Sequence, residues 1–67
     1  MQPHQQRVIS ERDELSDKVS KLTSFIDPSN KVYASLDKQD QHLLEDQLTH
    51  MCDYLEVLEK RILRFND

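Results

Sequence analysis

The C-terminal half of the chain repeats with a period of seven, with Leu44, Met51, Leu58 and Phe65 forming one row. A second row, Gln47, Tyr54 and Arg61, interleaves with it at steps of three and four residues. Such steps place both rows along one side of a helix, so this segment can fold only as a long amphipathic helix lying against another helix. Within that seam every position should be apolar, and three long, polar-tipped side chains stand in register instead. Either they set the register of an assembly, or they line a polar pocket built between helices.

The first partner for this helix lies upstream. Val8, Leu15, Val19, Leu22 and Ile26 recur at helical spacing and give a second apolar face, with Arg12 in the slot between Val8 and Leu15. Pro3 suits the first turn of that helix, where its missing N–H would have no partner anyway. Asp27-Pro28 ends it, because proline disfavours helical geometry in the residue before it. Residues 27–36 read as a connector with room for one loose helical turn. Asp37 is an N-cap for the second helix, and Asp40 suits its first turn. The expected fold is all-α: an antiparallel two-helix hairpin, with helices at 3–26 and 38–65, forming one domain over residues 1–67.

A chain of 67 residues builds a thin core, burying only about 60% of the surface its unfolded form exposes. Cys52 is alone, which excludes an intrachain disulfide, and His4, His42 and His50 have no partners at zinc-ligand spacing. Oligomerisation is the remaining way to stabilise so small a fold. The expected state is therefore a helical homo-oligomer. Leu48, Leu55 and Ile62 support it as a third row that widens the apolar face of the second helix, one row serving the first helix and another a second chain. Cys52, between Leu48 and Leu55, then reads as a small buried hydrophobe at an interface.

The absence of glycine and tryptophan and a charged fraction of 33% fit a helical, soluble, intracellular protein. No apolar run reaches the length of a signal sequence or a membrane span. Thirteen acids against nine bases give a net charge of -4, with the deficit in the second half. Charge of this sign repels a phosphate backbone, so neither DNA nor RNA is expected as the main partner, although local bases can still hold a small phosphate ligand. Asp46, Thr49, Asp53, Glu56 and Lys60 fall on an outer face that is most simply solvated.

The polar row has chemistry suited to a nucleotide: Tyr54 can stack on a base, Arg61 can fork onto a phosphate, and Gln47 can read a base edge. The plainer alternative is that each lies across the seam with its polar head in water. His4, Arg7, Glu11, Glu14, Lys18 and Lys21 form a polar stripe on the first helix, in which Arg7 with Glu11 and Glu14 with Lys18 are spaced for ion pairs. Arg12 inside the seam calls for an acid from a neighbouring chain or for an anionic ligand. No Gly-rich phosphate loop, nucleophile elbow or HExxH-type pair is present, and His50 and Cys52 point apart on one helix. An enzyme is not expected, nor a metal or a cofactor.

Two groups of residues carry a family resemblance. Pro3-His4-Gln5-Gln6-Arg7-Val8, followed by Glu11, Leu15, Lys18, Lys21-Leu22 and Phe25-Ile26, is similar to the first helix of small phage-encoded helical-hairpin proteins. Leu36, Leu44, Gln47, Met51, Tyr54, Leu58, Arg61-Ile62 and Phe65 resemble their second helix. These proteins are related to the phage anti-CBASS and anti-Thoeris hairpin family. The resemblance implies a homo-oligomeric sponge in the host bacterial cytoplasm that sequesters cyclic oligonucleotide or cyclic ADP-ribose-type immune signals without cleaving them. It also implies a ligand site formed by Gln47, Tyr54 and Arg61 from the second helix with His4, Arg7 and Lys18 from the first. Two alternatives stand beside it: a helical hairpin that docks on a host or phage protein, and a structural coiled-coil spacer.

Overall fold

A computed structural model describes residues 2–65; Met1, Asn66 and Asp67 lie outside them. Three helices run in order: α1 (Pro3–Phe25), α2 (Lys31–Ser35) and α3 (Lys38–Leu63). The two long helices pack against each other as an antiparallel hairpin, a rod of 47 × 15 × 14 Å. The chain is thus all-helical, as its periodicity requires. The connector, however, is more ordered than a loose turn.

Each helix end follows from local chemistry. Gln5 folds its side chain back to accept the backbone N–H of Gln2 at 3.0 Å, beside Pro3 at the start of α1. Past Ile26, the Asp27 carboxylate accepts both the N–H and the hydroxyl of Ser29 at 2.9 Å. Those two bonds hold the Asp27 carboxyl below the usual carboxylate range. Asn30 caps α2 by accepting the Tyr33 N–H, and Asp37 caps α3 by accepting the Asp40 N–H at 2.8 Å. At the far end of α3, Lys60 and Arg61 complement the helix dipole.

The connector is pinned at Tyr33, which is only 6% exposed. Its ring meets Phe25 edge to face at 6.0 Å, and its hydroxyl donates to Glu45 on α3. Gln41, in the first turns of α3, donates its amide to the carbonyls of Tyr33 at 2.9 Å and Leu36 at 3.2 Å. One side chain therefore ties together two carbonyls at the end of α2: that of Leu36, and that of Tyr33, which also accepts the Leu36 N–H at 3.1 Å. Gln41→Ala is expected to lower stability by about 1 to 2 kcal/mol, and the melting temperature by roughly 5 to 15 °C. Gln39→Ala, on an exposed position nearby, should leave the melt unchanged, so the pair of melts isolates the bond.

The interior identifies the true seam. On α3 the positions turned inward are Gln41, Leu44, Leu48, Met51, Leu55, Leu58 and Ile62, with Phe65 continuing the row in the turn just past its end, and Leu58 is 0% exposed. On α1 they are Gln5, Val8, Arg12, Leu15, Val19 and Leu22, with Ile26 just past its end and Ile9, Ser16 and Phe25 part-buried beside the row; Val8 is buried. Leu48, Leu55 and Ile62 are therefore not a spare face awaiting another chain. They interleave with Leu44, Met51 and Leu58 to complete the heptad, and Gln47, Tyr54 and Arg61 lie outside it, exposed. The expected three polar exceptions are not exceptions.

The polar residues that do occupy the seam are Gln5, Arg12 and Gln41, and each has a partner. Gln5 and Gln41 hold backbone groups at the two ends. Arg12 reaches out of the seam to Asp13, its own neighbour, at 2.7 Å. No second chain or anion is needed to meet that charge. Two further expectations are overturned. Cys52 is exposed rather than buried, because it falls one residue outside the seam. The ion pairs among the described residues join Arg12 with Asp13, Asp17 with Lys21, and Glu56 with Lys60, rather than Arg7 with Glu11 or Glu14 with Lys18.

Candidate functional site

In an antiparallel pair the same flank of each heptad falls on the same edge of the hairpin. The position before each inward a-type residue is His4, Glu11 and Lys18 on α1, and Gln47, Tyr54 and Arg61 on α3. The register along this edge is fixed by one contact: the Tyr54 hydroxyl donates to the Glu11 carboxylate across the two helices. Stepping seven residues back on one helix and forward on the other then sets His4 opposite Arg61, and Lys18 opposite Gln47. Each step is about 10 Å. Five of the six residues expected to bind ligand thus form two layers and half of a third on a single edge.

Arg7 borders the same edge one turn from His4, and Arg64 borders it one turn from Arg61. The open end of the hairpin therefore gathers His4, Arg7, Arg61 and Arg64 in the layer beyond Tyr54, Arg64 lying about 15 Å along the helix from it, on a protein whose net charge is -4. Lys18 and Gln47 lie about 20 Å from the outermost layer, so one small ligand touches two neighbouring layers and not all three. Gln47 turns its amide toward the sulfur of Met51 at 3.8 Å. All six residues are exposed, and no enclosed pocket opens among the described residues. The site is an open edge.

Glu11 is the member of this edge that sequence spacing misplaced. Its position four residues after Arg7 suggested an ion pair within α1, but it accepts from Tyr54 instead. The antiparallel flank rule would have found it, once Leu48 and Leu55 were taken as seam. That bond is the first cause holding the Tyr54 phenol above the usual tyrosine range; partial desolvation and the Glu11 charge add to it, and Arg61 opposes it. Tyr33 is raised as well, by burial first and then by Glu45.

The sign of the pH effect follows. A phenol whose folded pKa is raised contributes stability below its ordinary value of 10.0, and loses it as pH rises through the higher folded value. In a phenolate absorbance titration both tyrosines should ionise late. Glu11→Ala is expected to return Tyr54 toward the ordinary range while Tyr33 stays raised; two unchanged curves would remove the inter-helix bond from this account.

Among the described residues no group of three or more His, Cys, Asp or Glu side chains is placed to hold a metal ion, and no helix is long and apolar enough to cross a membrane. The chemistry of the edge is cationic and aromatic: it can neutralise an anion, stack on a planar ring and donate hydrogen bonds.

Comparison with known proteins agrees on a family. The chain is 35% identical over 65 residues to a protein of Enterobacteria phage T4, described as an uncharacterized 7.5 kDa protein in the denB-rIIB intergenic region. That match covers 97% of this chain and 98% of the phage protein. No solved structure matches. The sequence model of the Sequestin family matches residues 2–64, nearly the whole helical hairpin, and the chain belongs to that family.

Proposed function

We propose that this protein is a phage anti-defence sponge: it binds cyclic oligonucleotide or cyclic ADP-ribose-type immune signals and withholds them, uncleaved, from their effectors. The observation that carries this is the open end of the edge, where His4 and Arg61 fall in the layer next to an exposed Tyr54, which is bonded to Glu11, with Arg7 one turn from His4, on an otherwise acidic protein. Arginine forks suit phosphate oxygens, and a tyrosine face suits a base. The family name, Sequestin, and the phage T4 relative support sequestration in an infected cell. A sponge acting there works in the host bacterial cytoplasm, needs no cofactor and is not an enzyme.

An open edge leaves one side of a ligand in water. A homo-oligomer encloses it, because a second copy of the edge can supply the missing wall. Calorimetric titration with cyclic di- and trinucleotides and cyclic ADP-ribose isomers tests this directly. Saturable binding of at least one, and no comparable binding of linear dinucleotides or duplex DNA, is expected; silence across the panel would count decisively against it.

Leu43 and Val57, 57% and 51% exposed beside the polar residues, favour a second reading in which the hairpin docks on a host or phage protein. Leu55→Asp does not discriminate, because Leu55 belongs to the seam and its loss opens the hairpin. Leu43→Asp does: a docking module loses its partner, whereas a sponge keeps its affinity for the nucleotide.

A further inference from the structure

Glu11 is an acid in the middle of a cationic edge. The layer outward of it holds His4 and Arg61, with Arg7 four residues before it on α1, and the layer inward holds Lys18. It forms an ion pair with none of them: the ion pairs among the described residues join Arg12 with Asp13, Asp17 with Lys21, and Glu56 with Lys60. Its carboxylate accepts from the Tyr54 hydroxyl instead. A glutamine carbonyl would serve that hydroxyl too, so the bond explains an acceptor at this position and not a negative charge. On an edge that recruits anions the charge is a cost, unless it meets donors of the ligand. A carboxylate has about four acceptor sites, and Tyr54 fills one. Glu11 is exposed, which leaves the others open to solvent.

The order of groups along the edge says which donors these are. Tyr54 offers a ring face, Glu11 stands beside it across the two helices, and Arg7 follows one helical turn, about 6 Å, farther along α1. Ring, acceptor and cation in that order match base, sugar and phosphate in a nucleotide. With a base stacked on Tyr54 and its phosphate on Arg7, the group opposite Glu11 is the sugar. Guanine also carries two adjacent N–H donors that a carboxylate accepts well. They lie on the edge of the base far from its sugar, and a guanine turned that way on Tyr54 would carry its phosphate away from Arg7.

We infer that Glu11 accepts a ribose hydroxyl of the bound nucleotide, so that the edge selects ribonucleotides over deoxyribonucleotides. The 2′-hydroxyl is the donor by which proteins tell the two sugars apart, and an ionised acceptor makes that bond charge-assisted. A deoxy ligand leaves the carboxylate facing its phosphates with no donor between them, so the same residue that attracts one sugar rejects the other. This inference rests on the sponge reading and adds to it the sugar that the edge requires.

Calorimetric titration with cyclic di-AMP, cyclic di-GMP and cyclic ADP-ribose isomers, each beside its 2′-deoxy counterpart, tests it. The wild type is expected to bind the ribose form of at least one pair about tenfold or more tighter than the deoxy form. Glu11→Ala should weaken binding of that ribose form about tenfold and leave the deoxy form no weaker, so that the two converge. Glu11→Gln keeps an acceptor for both Tyr54 and the hydroxyl and should retain part of the preference; it also keeps the test valid if Glu11→Ala loses helicity by circular dichroism. Three results would overturn this inference alone: equal binding of the two sugars by the wild type, Glu11→Ala weakening both forms alike as a merely structural role would, or a ranking that follows guanine whichever sugar carries it. Silence across every pair would overturn the sponge reading and this inference with it.

Discussion

Leu58→Ala is expected to leave the chain largely unfolded at physiological temperature. Leu58 is the one fully buried side chain among the described residues, in a core that otherwise buries only Val8 and Tyr33. Truncating a buried leucine costs about 2 to 5 kcal/mol, from lost transfer free energy and the cavity left behind. The whole stability of a chain this size is about 3 to 10 kcal/mol at typical per-residue values. A thin core has no reserve to absorb such a loss. Circular dichroism should show the helical signal of Leu58→Ala collapsing well below the wild-type melt, whereas Leu63→Ala, at a 77% exposed position in the same last turns, should melt with the wild type. Equal melts for the two would mean that the hairpin is not held by the seam described.

The second large effect concerns binding. Arg7→Ala and Arg61→Ala together should weaken affinity for the cyclic nucleotide at least a hundredfold, since each removes a charge-assisted bond worth about 1.5 to 3 kcal/mol. Neither residue is buried, and neither holds a helix cap through its side chain, so the melting temperature should fall by no more than about 5 °C, the share that Arg61 contributes against the α3 dipole. Affinity falls and fold does not. Because the edge is open to solvent, wild-type binding should also weaken as salt is raised, and the double variant should lose most of that dependence. Binding that survives both substitutions would move the site away from the open end of the edge, toward Lys18 and Gln47.

Much of the fold is legible in the sequence because its signals are local. Pro3 opens α1, Asp27-Pro28 closes it within two residues, and Asp37 starts α3, each through the backbone geometry or hydrogen bonding of one or two residues. α2 is less legible. Its Lys31–Ser35 turn is held by Asn30, and the surrounding connector by Tyr33 against Phe25 and Glu45 and by Gln41; only the first of these partners is a sequence neighbour.

The seam shows how a small error in phase becomes a large one in space. Leu44, Met51 and Leu58 can be interleaved with Gln47, Tyr54 and Arg61 or with Leu48, Leu55 and Ile62, and the two choices differ by a single residue. One residue is about 100° of rotation, enough to turn a solvent-facing row into a core row. The wholly apolar row was the better choice on burial alone. The candidate ligand residues nevertheless share one edge, because side chains at a sevenfold spacing stay aligned whichever flank they occupy. What spacing within one helix cannot give is the partner across the hairpin, so spacing alone pairs Glu11 with Arg7 and not with Tyr54.

Recovery of the ligand tests the central claim most directly. Protein in excess is mixed with the cyclic nucleotide that titrates best, free nucleotide is measured by filtration and chromatography, and the retained complex is then heat-denatured and measured again. A sponge should deplete the free nucleotide in proportion to the protein added, and heating should return it unaltered and in full. Nucleotide that stays free, or that comes back linear or hydrolysed, would contradict sequestration without cleavage.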